Sequence, residues 1–157
     1  MSINIVPLLP MHVESIAALE QNYFSMPWSR QMIADELDNE FALYYVAENE
    51  QGEVVGYSGM HTIIDEAYIT NVAVDEKYRR QGIASRLIEK IIEISNESKF
   101  LRITLEVRRS NTGAIALYER HGFLVAGLRK GYYSAPAEDG YVMLLELSQK
   151  PKEYIFE

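Results

Sequence analysis

The stretch from Val72 to Ala84 constrains what this chain can fold into more than any other. Val72-Ala73-Val74 has the small and β-branched residues of a buried strand. Arg79-Arg80-Gln81-Gly82 then makes a basic turn. From Gly82 to about Ser98, Ala84, Leu87, Ile88, Ile91, Ile92 and Ile94 line one side of a helix, with Arg86, Glu89, Lys90, Glu93 and Glu97 opposite. A strand that turns through glycine into a helix presents the free N–H groups of the first helical turn. The helix dipole and two arginines add positive potential, so the turn suits a diphosphate. No Gly-Lys-Ser/Thr follows, and G-x-G-x-x-G is absent, which excludes the two commonest nucleotide loops. The plainer reading is a solvated basic cap, and the turn alone does not decide between them.

Upstream, Ile3 to Val6 reads as a strand stopped by Pro7 and Pro10, and Met11 to about Gln21 as an amphipathic helix on Val13, Ile16, Ala17 and Leu19. Asn22 to Trp28 reads as a loop, with Ser29 capping a second helix through Leu37. Ala42–Ala47 and Val54–Thr62 form a hairpin turned at Glu50-Gln51-Gly52, and Tyr68–Val74 is the fourth strand. Downstream come a strand at Arg102–Val107, a helix capped by Ser110 or Asn111 and ended by Gly122, and a closing strand pair at Val125–Leu128 and Tyr141–Leu147. The order βααβββαβαββ predicts a mixed α/β sheet with helices on both faces and a ligand at the strand ends near Gly82. With 157 residues, 48% of them apolar, the expectation is one domain over 1–148, followed by a tail at 149–157 whose Tyr154, Ile155 and Phe156 could dock on a neighbour.

Composition removes several classes. There is no cysteine, which excludes disulfides, thiolate metal sites and a thiol nucleophile. His12, His61 and His121 have no metal-ligand spacing, so no metal is expected. Gly56-Tyr57-Ser58-Gly59-Met60 misses the nucleophile elbow at its last position. No apolar run approaches the ~20 residues of a membrane span, and Met1-Ser2-Ile3-Asn4-Ile5 does not read as a signal peptide, so a cytoplasmic location is the default expectation. Charge is strongly segregated: residues 1–76 hold 13 acids against Arg30 alone, whereas residues 77–130 hold 12 bases against 5 acids. The acidic part would repel a nucleic-acid backbone, and the basic part suits a polyanionic ligand. Asp35, Glu36, Asp38 and Glu40 suit a basic partner, or are simply a solvated face.

Three features follow the basic turn in order: Leu105-Glu106-Val107, Asn111-Thr112-Gly113-Ala114 and Ala116-Leu117-Tyr118. Arg-x-x-Gly-x-Ala at 79–84 resembles the acetyl-CoA signature of the GNAT N-acetyltransferases. The run Leu-Glu-Val-Arg-x-Ser-Asn-x-x-Ala-Ile-x-Leu-Tyr-Glu-x-x-Gly-Phe at 105–123 is similar to the bacterial ribosomal-protein alanine N-acetyltransferases, as are Pro27-Trp28-Ser29, Ile69-x-Asn71-Val72-Ala73-Val74 and Tyr132-Tyr133. The resemblance covers about residues 3–147. It implies the GNAT fold, a mostly antiparallel sheet of about seven strands flanked by four helices, with a bulge splaying the fourth strand from the fifth.

It further implies acetyl-CoA as cosubstrate. Val72, Ala73 and Val74 would contact its pantetheine and acetyl group. Arg79, Arg80, Gln81, Gly82, Ile83, Ala84 and Ser85 would hold its diphosphate, with Asn111 also binding cofactor. Glu106 would be the base, acting directly or through water. Strand alternation puts it opposite Leu105 and Val107. Tyr118, a phenol protonated at neutral pH, would be the acid. The competing readings are a surface carboxylate paired with Arg108 and an ordinary core tyrosine. Trp28, Tyr132 and Tyr133 would shape the acceptor groove. The expected acceptor is a basic protein N-terminus, the N-terminal alanine of a small-subunit ribosomal protein. A small amine or lysine side chain, or a non-catalytic acyl-CoA-binding module, are the alternatives. Without cysteine, transfer is expected to be direct, in a ternary complex, by a monomer or weak homodimer.

Overall fold

A computed structural model describes residues 2–147. The elements are β1 (Asn4–Pro7), a 3-10 turn at Pro10–His12, α1 (Val13–Tyr23), α2 (Arg30–Glu36), β2 (Ala42–Glu48), β3 (Val54–Ile63), β4 (Glu66–Val74), α3 (Ile83–Glu97), β5 (Arg102–Arg108), α4 (Thr112–Arg120), β6 (Leu124–Tyr133) and β7 (Glu138–Glu146). A second 3-10 turn, Glu76–Tyr78, joins β4 to the basic turn. The order is the expected βααβββαβαββ. The strands form one seven-stranded sheet ordered β1-β2-β3-β4-β5-β7-β6, antiparallel except between β4 and β5.

Local chemistry sets the helix starts. Ser29 caps α2 by accepting from the Met32 amide, and Asn111 caps α4 by accepting from the Ala114 amide. Gly82 stands before α3 with φ of 77°, a left-handed conformation. Both faces of the sheet are covered. Val13, Ile16, Leu19 and Ile33 from α1 and α2 pack with Val46, Tyr57 and Ala73 on one side. On the other, Ile88 and Ile91 of α3 and Tyr118 of α4 pack with Ile69, Ile103, Leu105 and Val107.

Several boundaries differ from the sequence reading. The first helix starts at Val13, because Pro10–His12 forms a tighter turn, and it continues to Tyr23, which lies four residues past Leu19 and extends its apolar face. The loop after it therefore begins at Phe24 rather than Asn22. β4 begins at Glu66, earlier than Tyr68. β6 runs to Tyr133 instead of stopping at Leu128. That strand is the sheet edge and is exposed along almost its whole length, so no burial alternation marks its extent. β7 correspondingly begins at Glu138 rather than Tyr141. The Tyr154-Ile155-Phe156 tail lies outside the described residues.

One irregularity organises the rest. Gly59 pairs with Asn71, yet Met60 pairs with Ile69, which leaves Thr70 as an extra residue in β4. Pairing of β4 with β5 ends at Tyr68 opposite Thr104, and beyond it the two strands diverge. The bulge is held from across the sheet: Tyr44 passes over Gly59 and its hydroxyl meets Thr70 Oγ1 at 3.1 Å.

Candidate active site

Where β4 and β5 separate, a cleft of about 490 Å³ opens. Its walls come from both sides of the sheet. Glu20, Tyr23 and the Phe24–Trp28 segment line it from the α1 side, and Asn111, Ala114 and Tyr118 from α4. Glu106 and Tyr118, which belong to opposite sheet faces by strand alternation and packing, both reach it. Val72, Trp28 and Tyr133 line it too.

Glu106 is held from two directions. The Tyr68 hydroxyl donates to its Oε2, and Arg129 forms an ion pair with it, Nε to Oε1 at 3.2 Å. Its side chain is only 9% exposed, so the carboxylate is aimed into the cleft and away from bulk water. The expected competitor, a pair with Arg108, does not form. Arg108 bonds instead to Glu138 at 3.2 Å and lies 4.6 Å from the Tyr133 ring centroid. Tyr133 in turn meets Tyr132 edge-on at 4.9 Å, and burial pushes its phenol up to about 12. Tyr132 itself is 47% exposed, beneath the Arg129 guanidinium at 5.7 Å, at the margin of the site.

Tyr118 is buried and packs against Phe123 at 5.6 Å between ring centroids. Burial raises its phenol well above the ordinary 10. It is therefore a neutral O–H at any physiological pH, able to donate to an anion that forms beside it. The core-tyrosine reading and the cleft-facing one are both true of this residue: it packs on Phe123 and lines the cleft.

A second cavity of about 360 Å³ adjoins the start of α3. Val74, Arg79, Arg80, Gly82, Ile83, Ala84 and Ser85 line it, joined by Tyr78 and by Gly113, Leu117 and Arg120 from α4. Arg80 has φ of 64° and Gly82 of 77°. Left-handed residues within such a turn direct successive N–H groups into one concavity, a nest for an anion. The donor set fits a diphosphate: backbone amides, the Arg80 and Arg120 side chains and the Ser85 hydroxyl. Ser85 Oγ lies 3.1 Å from His121 Nε2.

Four of the expected cofactor contacts sit differently. Arg79 lines the cavity but spends its Nε on the Val74 carbonyl at 3.1 Å and lays its guanidinium 4.6 Å from the Tyr23 ring centroid, so it braces the turn. Gln81 is exposed and outside the cavity. Ala73 is buried against the α1 side of the sheet, so only its backbone is available. Asn111 lines the larger cleft rather than the cradle, and its Oδ1 is engaged as the helix cap. Of the acidic set, Glu36 meets His61 Nε2 at 2.7 Å and Asp35 accepts from Gln31 at 2.7 Å, while Asp38 and Glu40 stay exposed.

Sequence reasoning passed over Tyr68, Arg129 and Arg120, which carried no local signal. It also passed over Glu20, which did carry one: a carboxylate four residues after Ile16 and beside Leu19, on the apolar stripe of α1. Glu20 is 1% exposed. Among the described residues, no group of three or more His, Asp or Glu could hold a metal ion, and no helix is long and apolar enough to cross a membrane.

The geometry has counterparts. The chain is 34% identical over 132 residues to the ribosomal protein bS18-alanine N-acetyltransferase of Escherichia coli K12, covering 83% of this chain and 88% of that protein. The crystal structure of the ribosomal-protein-S18-alanine N-acetyltransferase from Escherichia coli superposes with a TM-score of 0.88 at 31% identity, over 99% of this chain and all of that one. Ard1 from Thermoplasma volcanium matches with a TM-score of 0.87 at 28% identity, over 95% of this chain. A profile described as the acetyltransferase (GNAT) family matches residues 13–123, well over half of the sequence. This chain belongs to the GNAT family and is an acetyl-CoA-dependent acetyltransferase.

Proposed function

We propose that the protein transfers acetyl from acetyl-CoA to a protein α-amine, specifically the N-terminal alanine of a small-subunit ribosomal protein. The observation that carries the chemistry is the single cleft reached by Glu106 from one sheet face and Tyr118 from the other. The diphosphate would rest on the nest at Arg80–Ser85, aided by Arg120, with the thioester directed along β4 toward the gap. The amine would approach from the α1 side, between Trp28 and Tyr133.

Acetyl transfer joins the amine nitrogen to the acetyl carbon and breaks the thioester C–S bond. Glu106 accepts the proton that the nitrogen loses, directly or through one water. Tyr118 supplies a proton to the departing sulfur. An α-amine, with an ordinary pKa of about 7.7–8.0, is already partly neutral near pH 7, so a carboxylate suffices as base. A lysine near 10.4 would need far more help. The low dielectric that raises the Tyr118 phenol also raises the proton affinity of a thiolate in the same cleft, which keeps the pair matched.

The acceptor identity draws on the Escherichia coli relatives, whose names specify alanine of the ribosomal protein S18. Intact-mass spectrometry of small-subunit ribosomal proteins from a strain lacking this gene tests it. One protein should lose one acetyl group, and its synthetic N-terminal peptide should be acetylated by the purified enzyme. An unchanged set of masses, with the peptide untouched, would refute the acceptor and leave the enzyme class standing.

A further inference from the structure

Glu20 is a buried carboxylate whose charge nothing in its surroundings explains. It sits on α1 at the floor of the cleft, 1% exposed, where Tyr57 donates to its Oε1 and Asn71 Nδ2 donates to the same atom at 2.8 Å. Among the described residues these are its only hydrogen-bond donors, and no Lys, Arg or His pairs with it. A glutamine would accept both hydrogen bonds without the desolvation of a carboxylate, so a merely structural node would be better served uncharged. Both donors are spent on Oε1, which leaves Oε2 for the cleft.

The bulge places this carboxylate in register with the base. Tyr68 and Asn71 are three residues apart and would point to opposite sheet faces in a regular strand. The extra residue, Thr70, returns them to one face. Tyr68 holds Glu106 and Asn71 holds Glu20, opposite His61 and Gly59, which stand two residues apart on β3. At the rise of a strand, the two residues that hold these carboxylates are therefore anchored about 7 Å apart on one face.

Resting on the α-amine acetyltransferase reading, we propose that Glu20 is the residue that captures the acceptor's terminal amine: Oε2 takes one N–H of the incoming chain and turns the nitrogen between itself and Glu106. The lone pair is then left to face the thioester, and Glu106 remains free for the proton. Burial raises the Glu20 carboxyl above its ordinary range, as expected of an anion waiting for a cation.

The test is Glu20→Gln, which keeps an oxygen for Tyr57 and Asn71 and replaces the cleft-facing acceptor by a donor. Steady-state kinetics with an N-terminal alanine peptide should show its KM raised at least tenfold, with kcat within threefold and the KM for acetyl-CoA unchanged. In direct binding to the CoA-loaded protein, wild type should prefer the free-amine peptide over the same peptide N-acetylated, and the variant should lose that preference. A thermal melt no lower than wild type shows that the fold is intact. A peptide KM within twofold of wild type, with the preference retained, would make Glu20 a packing residue and overturn the proposal. Wild-type protein that acetylates lysine side chains but no α-amine would overturn the functional reading itself, and this one with it.

Discussion

The Tyr44–Gly59 crossing can be broken and repaired by two substitutions. A Cβ placed on Gly59 would lie within 2.7 Å of three atoms of the Tyr44 ring, too close for any carbon pair. The ring has nowhere to retreat: it is 6% exposed, stacks on His61 at 6.5 Å and packs against Trp28 and Tyr57. Gly59→Ala therefore expels the ring, at about 1–3 kcal/mol for overpacking. The Tyr44–Thr70 hydrogen bond, worth about 1 kcal/mol, goes with it. Reduced freedom of the unfolded chain returns roughly 0.5–1 kcal/mol, leaving a net loss of about 2–3 kcal/mol, or on the order of 4–12 °C in Tm at this chain length. Tyr44→Ala alone should cost about 3–5 kcal/mol, but it removes the obstacle, so adding Gly59→Ala to it should cost less than about 0.5 kcal/mol. Urea denaturation of the four proteins gives the cycle. Because Tyr44 anchors the bulge, Gly59→Ala should also weaken acetyl-CoA and acceptor binding together. Equal costs of Gly59→Ala in the two backgrounds would refute the steric argument.

Glu106→Gln and Tyr118→Phe should each lower kcat/KM by roughly 10²–10⁴ while leaving acetyl-CoA affinity within about twofold; full turnover in either would remove that residue from proton transfer. Gly82→Ala meets no atom within 4 Å, so its effect is purely backbone: about 1–2 kcal/mol of left-handed strain, read by calorimetry as roughly 5–30-fold weaker acetyl-CoA binding, with Gly82→Asn milder. An alanine variant that binds like wild type would mean the nest does not hold the diphosphate. Because the Glu20 carboxyl is raised above 4.5 in the fold, its stabilisation is complete below pH 4.5 and drains as pH rises through the raised value. The wild-type melting temperature should accordingly fall relative to that of Glu20→Gln from pH 4.5 toward neutrality, and a constant gap across that range would contradict the shift.

What the residues disclosed locally and what they withheld divide along one physical line. α3 was plain because six apolar positions repeat at helical spacing, and Ser29 and Asn111 announced α2 and α4 because a cap acts within three residues of itself. β6 was half hidden, since an edge strand exposed on both faces has no reason to alternate. The support of Glu106 was hidden altogether: Tyr68 lies 38 positions away in sequence and Arg129 sits on a strand reached only through β7. Motif spacing points to candidate reacting groups; it carries nothing about the partners that aim them. Glu20 belongs between these cases, because its place on an apolar stripe was visible while the amide and phenol that justify it were not.

The bulge at Thr70 ties these observations into one device. A sheet continuous from β4 to β5 would satisfy every backbone N–H and C=O along the facing edges and leave no route between its two sides. Here the ladder stops at Tyr68 and Thr104, so the facing edges from Ile69 to Val74 and from Leu105 to Arg108 lack each other as partners. Buried backbone groups without partners are costly, which makes the gap a standing demand for a polar, extended ligand to take the place of a strand. A pantetheine arm with its two amides would answer that demand from the α3 side. The same extra residue rotates Asn71 onto the face of Tyr68, so the opening that would admit the thioester from one side presents Glu20 and Glu106 together on the other. Loss of the bulge should therefore remove cofactor and acceptor binding as a pair, whereas damage to the Arg80–Ser85 nest should remove only the first.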